Sequence, residues 1–340
     1  MSDVRVGVCG LGFMGRTHLE AFAQARELGA ANRITAVADR NASKRRGELG
    51  DGGNIDTGET DLPLFDPEAV EGFERPEDLV TSDAVDLVSI CTPTDSHVDL
   101  ALAALEAGKH VLVEKPIALD PNEVQRLADA ARASDRVCMP AMCIRFWPGW
   151  DWLKQAVDSG ELGRCKSLVV QRRSPAPGWS QGFYKDPERT GGALFDLHIH
   201  DADWIQWIFG APEAVTTNGD LDHVQTLYHY GANGPDLASA EGGWDFPSEH
   251  PFQMGYSAVF ENGAADFSLH RESPLLVTRG DRSEVPELAA HTGYVGEVLH
   301  LLDVLAGRAQ LGATIDQAAA VTRLLSAERE SLESRRAVEL

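Results

Sequence analysis

The chain has 340 residues, 43% of them hydrophobic, and this length favours two domains over a single core. Its 30 basic residues against 53 acidic ones give a formal net charge of -23, so most of the surface would repel nucleic acid, which we exclude as a partner. No apolar run approaches the ~20 residues of a membrane span, and the start MSDVRVGVCGLG lacks the basic segment and cleavage site of a secretion signal. We therefore expect a cytoplasmic protein without a membrane partner, and we interpret its five scattered cysteines as reduced core residues.

The first predicted elements are a strand, a glycine-rich turn and a helix. The apolar run from Val4 to Cys9 ends in GLGFMG, and an amphipathic helix follows from about residue 16 to residue 28. In this G-x-G-x-x-G pattern, Gly10 permits a tight turn, Gly12 lets backbone amides approach a pyrophosphate, and Gly15 lets the helix pack on the strand. The pattern predicts a dinucleotide-binding turn.

A carboxylate at the end of the second strand supports this prediction. The run ITAVAD closes on Asp39, at about the ~20-residue offset where a carboxylate meets the adenosine ribose hydroxyls. Asp39 favours NAD, because a 2′-phosphate would lie against its negative charge. Arg40, Lys44 and Arg45 follow at once, and a guanidinium there would accommodate that phosphate. We predict NAD as the cofactor and keep NADP as the alternative.

The remainder of the first half continues the alternation of strands and helices. The stretch 47–63 is polar and lacks apolar periodicity, so we interpret it as a surface insertion. Strands are predicted near 72–74, 87–91, 110–116 and 137–141, and the helices between them include one opened by Pro76 and one over 100–107. This alternation predicts an α/β fold with a doubly wound parallel sheet, which we assign as an NAD(P)-binding Rossmann domain at residues 1–141.

The second half has a different pattern. A helix near 150–159 and a strand closing on Arg173 lead to a helical run over 191–209. Five short segments with alternating hydrophobicity follow between residues 214 and 269, and the last two are joined by Asn262-Gly263, a preferred hairpin turn. Helices near 291–306 and 314–334 complete the pattern. It predicts an α+β domain at residues 142–340 with a large open, mostly antiparallel sheet, with the alternative that the C-terminal helices pack back on the first domain.

The run 191–203, GGALFDLHIHDAD, contains Asp196, His198, His200, Asp201 and Asp203. On one continuous helix over 193–209, Asp196, His200 and Asp203 lie at i, i+4 and i+7 on one face, whereas His198 is roughly 200° around. A zinc site would need two or three convergent neutral ligands. Because no motif elsewhere supplies a matching partner, we predict that no metal is bound.

The motifs together resemble a known family. GLGFMG near the start, CTPTDSH, VEKP and then GGALFDLHIHDAD occur in the order found in the Gfo/Idh/MocA oxidoreductases, named for glucose-fructose oxidoreductase and inositol dehydrogenase. The resemblance covers nearly the whole chain, and its most specific part is the pairing of EKP with a later GG-x-x-x-D-x-x-x-H. The family's usual glycine or alanine between the last two residues is His198 here.

The resemblance implies a nicotinamide-dependent oxidoreductase acting on a secondary alcohol of a sugar, cyclitol or sugar derivative, and it implies a catalytic group of Lys115, Asp196 and His200. Lys115 follows a predicted parallel strand, at the sheet edge where ligands bind. The candidate cofactor-binding residues are Gly10, Gly12, Phe13, Met14, Gly15, Asp39, Arg40, Thr92, Pro93, Thr94, His97, Glu114 and Lys115. The candidate substrate-binding residues are Lys115, Arg145, Trp147, Arg172, Trp179, Asp196 and His200.

Several alternatives stay open at this point. Arg145, Trp147, Arg172 and Trp179 also have an interpretation as packing residues at a domain junction. A relative of this kind can cleave glycosidic bonds through transient oxidation by tightly held NAD, and a third possibility is a non-catalytic sugar or nucleotide sensor. The family often dimerises through the sheet of its second domain, so we expect a homodimer or homotetramer.

Overall fold

We describe the protein from a computed structural model, which covers residues 3–48, 65–178, 181–184, 186–232 and 234–340. Residues 49–63 of the predicted insertion and the predicted substrate residue Trp179 lie outside the described residues. The strands are β1 (Val4–Cys9), β2 (Asn32–Ala38), β3 (Glu71–Phe73), β4 (Leu87–Ile90), β5 (His110–Val113), β6 (Cys138–Pro140), β7 (Cys165–Pro175), β8 (Ala214–Asp220), β9 (His223–His229), β10 (Leu237–Phe246), β11 (Gln253–Phe260), β12 (Ala264–Ser268), β13 (Leu275–Arg279), β14 (Arg282–Glu284) and β15 (Val338–Glu339). The helices are α1 (Phe13–Glu27), α2 (Ala42–Arg45), α3 (Pro76–Val80), α4 (His97–Glu106), α5 (Pro121–Ala133), α6 (Trp150–Ser159), α7 (Gln181–Tyr184), α8 (Pro187–Thr190), α9 (Gly192–Asp196), α10 (Ile199–Phe209), α11 (Gly293–Leu305) and α12 (Ile315–Ser334).

The chain forms two compact units. Unit 1 consists of Met1–Cys143 and Gly293–Ala320, and unit 2 consists of Ile144–Thr292 and Val321–Leu340. Unit 1 therefore contains α11 as well as the segment predicted to bind the dinucleotide. The chain passes from one unit to the other three times, and the third boundary, after Ala320, falls inside α12.

Unit 1 is built on a parallel sheet. Its six strands lie in the order β3-β2-β1-β4-β5-β6, and every neighbouring pair is parallel. All four residues of β4 are fully buried, as expected for a central strand of a parallel sheet with both faces covered. The predicted doubly wound Rossmann fold is confirmed. Helix α5 was not predicted, although Asp120 caps it through Asn122 and Pro121 occupies its first turn.

Unit 2 is built on a mixed sheet. Within the described residues its nine strands lie in the order β14-β13-β12-β11-β7-β10-β9-β8-β15. Only the central pair of β7 and β10 is parallel among these neighbours, and the others are antiparallel. The prediction of a mostly antiparallel sheet is confirmed, as is the hairpin at Asn262-Gly263, which joins β11 to β12. Strands β13, β14 and β15 were not predicted.

The two faces of the unit 2 sheet differ in burial. Alternate residues of β7, β10 and β11 point to a face that is buried, and α9 and α10 pack against β10 on that side. An aromatic cluster lies in this core, where the ring centroids of Trp150 and Trp204 are 4.5 Å apart and that of Tyr256 is 5.3 Å from Trp150. Most residues on the other face of these strands are partly or fully exposed, including Leu237 and Val259, although Ser239 and Gly243 of β10 are buried there.

Candidate active site

The glycine-rich turn of unit 1 has the geometry that its sequence predicts. Gly10 follows β1 with φ of 84°, a left-handed conformation that favours glycine. A Cβ on Gly15 would lie 1.8 Å from the carbonyl oxygen of Gly10, so only glycine allows α1 to start this close to the strand. Gly12 is the exposed N-cap of α1, and a Cβ there would meet no atom within 4 Å. This space beside the helix N-terminus fits a phosphate group.

Asp39 lies directly beside this turn. Its Oδ2 accepts a hydrogen bond from the amide of Leu11 (2.8 Å), and its Oδ1 accepts one from the amide of Asn41 (2.8 Å). The guanidinium of Arg45 donates to the carbonyl of Asp39 (2.6 Å), which holds it against the backbone, whereas Arg40 is exposed. Two backbone amides therefore fix the orientation of this carboxylate beside the turn, and its role in ribose recognition stays a prediction.

Lys115 follows β5 at the carboxyl end of the parallel sheet and is partly exposed. Its backbone amide donates to Oε2 of Glu114 (3.0 Å), and Oε1 of the same carboxylate lies 2.8 Å from Nε2 of His18. Nδ1 of His18 lies 2.7 Å from the hydroxyl of Ser89 on β4. Because Glu114 is only 4% exposed, we infer that it orders the backbone before Lys115 instead of contacting the cofactor.

The pKa values of Glu114 and His18 are both shifted because the two side chains are buried and paired with each other. Burial raises the pKa of Glu114, but the hydrogen bond and charge of His18 outweigh it and bring the pKa below its usual value. Burial lowers the pKa of His18, but Cys91 and Glu114 raise it well above its usual value. Both directions favour an ionised pair. The buried Glu297 on α11 lies 3.8 Å from Nε2 of His18, and burial raises its pKa to about 8.

His97 links the CTPTDSH motif, in which it lies, to the backbone just after the EKP motif. Its Nε2 lies 2.7 Å from the carbonyl oxygen of Thr92, and its Nδ1 lies 3.0 Å from that of Pro116. Burial lowers the pKa of His97, and a neutral ring can donate to only one of these two carbonyl oxygens. Because the side chain is 1% exposed, His97 joins the CTPTDSH segment to the segment after Lys115. Of the neighbouring cofactor candidates, Thr92 and Pro93 keep solvent exposure and Thr94 is nearly buried.

The run 191–209 of unit 2 is not one helix, so the sequence prediction of a continuous helix is wrong. Helix α9 ends at Asp196 and α10 begins at Ile199, with Leu197 and His198 between them. The amide of His198 donates to the carbonyl of Ala193 (2.8 Å), a longer reach than a regular helix makes. Asp196 and His200 therefore lie on different helices, and the argument that placed them on one helical face does not apply.

Three titratable residues of this run are buried in ion pairs. Nε2 of His198 lies 2.9 Å from Oε2 of Glu328 on α12, and Asp201 lies 2.7 Å from Arg172 on β7. Asp203 lies 2.6 Å from Arg145. The side chains of all six residues are 2% exposed or less. Asp196 and His200, in contrast, are partly exposed.

Burial distinguishes three of the four candidate side chains for substrate binding named above. Arg145 and Arg172 each donate two or more hydrogen bonds to a buried carboxylate, and Trp147 is 8% exposed. Their burial favours the packing interpretation over direct contact with a sugar. Burial lowers the pKa of His198, but Glu328 and Asp201 raise it above its usual value, which favours an imidazolium in this pair.

Comparison with protein families identifies the chain. A family model for oxidoreductases with an NAD-binding Rossmann fold matches residues 4–142. The model of the GFO/IDH/MocA C-terminal domain matches residues 150–250. The chain belongs to the Gfo/Idh/MocA family. This membership confirms the predicted resemblance and the predicted NAD-binding domain.

Individual relatives agree with the family assignment. Inositol 2-dehydrogenase from Corynebacterium glutamicum is 29% identical over 77% of this chain and 73% of its own length. D-glucoside 3-dehydrogenase from Escherichia coli is 32% identical over 43% of this chain and 42% of its own length. The chain spans less than half of the length of several curated relatives that it matches. The structure of levoglucosan dehydrogenase in complex with NADH and levoglucosan has the same fold, with a TM-score of 0.83 at 21% identity over 100% of this chain and 99% of that one.

Neither a metal-binding cluster nor a membrane-spanning helix is found in the described part of this Gfo/Idh/MocA chain. In the described ranges, no group of three or more His, Cys, Asp or Glu side chains is arranged to hold a metal ion. None of the helices described is both long and apolar enough to cross a bilayer.

Sequence reasoning missed several polar residues of this family member. His18, Ser89, Glu297, Tyr228 and Glu328 were not predicted to have a role, although all five are buried and each contacts a residue named by the motifs or its partner. For Glu297 the available signal was its position within the apolar stretch GYVGEVLHLL, whereas Glu328 lies in the charged run SAERESLES and gave no such signal. A charged residue in such a stretch is rarely buried unless it is paired.

Proposed function

We propose that this chain is an NAD-dependent dehydrogenase that oxidises a secondary alcohol of a sugar, cyclitol or sugar derivative, or reduces the matching ketone. One observation carries the proposal. Of the five titratable residues in 196–203, His198, Asp201 and Asp203 are buried in ion pairs, whereas Asp196 and His200 keep solvent exposure. The two exposed members are those that the family motif assigns to catalysis, together with Lys115.

The proposed roles follow from the chemistry of each side chain. His200 takes the proton of the substrate hydroxyl as general base, the role that histidine side chains fill most often in enzymes. Lys115 stabilises the developing alkoxide as a cation, and Asp196 orients the substrate hydroxyl. NAD, when bound, supplies the hydride acceptor. In the reverse direction, His200 protonates the carbonyl oxygen that is being reduced.

The residues of unit 1 fit a nicotinamide dinucleotide. The open space at Gly12 and the amides of the turn suit the pyrophosphate, and Asp39 suits the ribose hydroxyls. The Asp39 carboxylate would repel a 2′-phosphate, and Arg45 is held against the backbone. We therefore propose NAD in preference to NADP, with Arg40 as the remaining cation next to Asp39.

The substrate class rests on named relatives. Inositol 2-dehydrogenases and a D-glucoside 3-dehydrogenase are among the proteins that match this chain. Both names specify a ring secondary alcohol. We propose a substrate of this kind for the present chain.

A dehydrogenase screen tests the proposal. Purified protein is incubated with NAD or NADP and a panel of inositols, monosaccharides and aryl glycosides, and both NADH absorbance and aglycone release are followed. We expect net NADH formation with at least one polyol or sugar, and its loss in His200→Ala. Aglycone release without net NADH would instead support a glycoside-cleaving enzyme. Calorimetric binding of a sugar without either product would support a sensor.

We also propose that the exposed face of the unit 2 sheet binds a second copy of this chain. Leu237 on β10 is 42% exposed and Val259 on β11 is 45% exposed, and both point to the face opposite the helices. Both residues pair with Ser167 of β7, one from each neighbouring strand, so they lie close together on this face, and clustered exposed apolar side chains mark interaction sites. Sedimentation should show a dimer or tetramer that Val259→Glu weakens. A monomeric parent protein would contradict this part of the proposal.

A further inference from the structure

His198 is the centre of a buried polar cluster in unit 2. Its Nε2 lies 2.9 Å from Oε2 of Glu328 and 3.0 Å from the hydroxyl of Tyr228 on β9. The hydroxyl of Thr226, also on β9, donates to the same Oε2 of Glu328 (2.8 Å). His198 and Glu328 are both fully buried. Removing either partner of such a buried pair would leave the other as a buried polar group without its partner, so the two side chains are expected to keep each other in place.

Strand β10 is shaped around the imidazole. A Cβ on Gly242 would lie 2.8 Å from Nδ1 and 2.9 Å from Cβ of His198. Ordinary atoms do not approach a Cβ this closely, so His198 and a glycine at 242 depend on each other. The ring is therefore confined by β10 on one side, by β9 on another and by the carboxylate from α12.

The backbone of His198 forms the junction between α9 and α10. Its amide donates to the carbonyl of Ala193 (2.8 Å), and its carbonyl accepts from the amides of Asp201 and Ala202 (3.0 Å each). Asp196 lies two residues before this junction and His200 two residues after it. Fixing the side chain of His198 therefore fixes the segment that carries both residues.

We propose that His198 and Glu328 are a positioning pair, which holds the α9–α10 junction so that Asp196 and His200 keep the arrangement needed for proton transfer. This inference rests on the proposed function, because it assigns Asp196 and His200 to catalysis. His198 takes no part in the chemistry itself, since it is completely buried. A displacement of ~1 Å in a catalytic group can cost ~100-fold in rate, so the junction is a sensitive place for such a pair.

The test compares Glu328→Gln with Glu330→Gln. Both residues lie on α12, but Glu330 is exposed and serves as the matched control. Hydrogen exchange of the amides of 197–203 needs no substrate, and we expect it to quicken about 10-fold or more in Glu328→Gln and to stay unchanged in Glu330→Gln. With a substrate from the screen, kcat should fall roughly 10- to 100-fold in Glu328→Gln, with NAD affinity within about twofold of the parent.

The exchange and kinetic results together either support or contradict the positioning role of the pair. Unchanged exchange at 197–203 in Glu328→Gln would show that the pair does not hold the junction. Faster exchange with an unchanged kcat would leave the pair a structural role only and overturn positioning. If the parent protein oxidises no substrate, the proposed function fails on its own, and the nuclear magnetic resonance signals of the His200 imidazole decide the inference: they should shift in Glu328→Gln and not in Glu330→Gln.

Two further variants keep the inference testable if Glu328→Gln does not fold. Thr226→Val removes one hydrogen bond from the same carboxylate with little change of shape. As in Glu328→Gln, amide exchange at 197–203 should quicken and kcat should fall, each by several-fold. Gly242→Ala should destabilise the parent, because its methyl group meets His198, but it should be tolerated when combined with His198→Ala. If the two substitutions have independent effects, the confinement of His198 by β10 is wrong.

Discussion

The glycine-rich turn of unit 1 and the 191–203 segment of unit 2 hold their functional groups by different physical means. In the turn, Gly10 and Gly15 bring two backbone segments together without any buried charge. In the segment, three ion pairs fasten the start of α10 to α12, to β7 and to Arg145. The first device depends on the absence of side chains, and the second depends on side chains whose partners come from elsewhere in the chain.

This difference has an energetic consequence. At a tightly packed glycine, any added Cβ clashes with neighbouring atoms, so every other residue type is disfavoured there. A buried ion pair, in contrast, costs most when only one partner is removed, because the other charge stays buried and unpaired. In the 191–203 segment, substitutions of the ion-paired residues should therefore mainly lower the free energy of unfolding, whereas substitutions of Asp196 and His200 should mainly lower turnover.

The largest effect on turnover is expected for His200→Ala, which tests whether catalytic and stabilising residues of the segment can be told apart. Loss of a general base should lower kcat roughly 100- to 10,000-fold, because proton removal from the hydroxyl then lacks a positioned acceptor. Thermal stability should change little, because His200 is partly exposed. Steady-state kinetics and a melting curve measure both. His229→Ala on β9 is the control, and a comparable kcat in the two variants would remove His200 from the mechanism.

The next largest effect is expected for Arg172→Met, which tests the buried pairs. It leaves Asp201 unpaired in the core, and the free energy of unfolding should fall by about 3–5 kcal/mol. Urea unfolding followed by tryptophan fluorescence measures it. Arg173→Met on the same strand is the matched control, because Arg173 is 27% exposed and its pair with Glu241 should contribute about 1 kcal/mol or less. Equal losses in both variants would contradict the anchoring role of Arg172.

Lys115→Ala tests the corresponding position in unit 1. Removing the cation should lower kcat by about 100-fold or more with NAD affinity largely kept, because the charge acts on the developing alkoxide. Kinetics and calorimetric titration of NAD separate these effects. Lys154→Ala, which removes an exposed pair with Asp158, should leave both unchanged. A near-normal kcat in Lys115→Ala would exclude the proposed role.

The same contrast explains how far the sequence predicts the structure. The turn, Asp39 and the six parallel strands were predictable because their signals are local, such as the glycine spacing and short apolar runs. The ion pairs were not, because Arg172 and Asp201 are 29 residues apart and Arg145 and Asp203 are 58 residues apart. The break at His198 was also missed, since the local pattern continues a helix while Glu328 and Gly242 determine where the ring lies.

A smaller effect is expected for Asp39→Ala, which probes the ribose end of the turn. Affinity for NAD should fall by about tenfold, and affinity for NADP should fall less or rise, because the charge that repels a 2′-phosphate is gone. Calorimetric titration of both cofactors measures the preference. Asp39→Asn keeps a hydrogen-bond acceptor for Leu11 or Asn41 and separates charge from turn structure. A parent protein that prefers NADP would overturn the cofactor proposal.

The smallest effect concerns the pH dependence of the His198 pair. Four groups face the imidazole: Glu328 from α12, Asp201 from α10, Arg172 from β7 and Tyr228 from β9. Burial lowers the pKa of His198 and Arg172 lowers it further, but Glu328 and Asp201 outweigh both and raise it above its usual value. A raised pKa means that the folded protein holds this proton more tightly than the unfolded chain. The stabilisation is complete below the unfolded pKa of ~6.5 and is lost as the pH rises through the folded value.

The difference in unfolding free energy between the parent and the double variant His198→Asn/Glu328→Gln isolates the contribution of the pair, because the double variant leaves no unpaired carboxylate and other titrating groups, such as Glu297, are common to both proteins. The advantage of the parent should be largest at about pH 6 and should shrink toward about pH 9, by at most about 1.4 kcal/mol per pH unit, since one proton is involved. Urea unfolding at several pH values measures it. A difference that grows with pH would mean that the ring is neutral in the folded protein, and the description of unit 2 as anchored by three ionised pairs would then reduce to two.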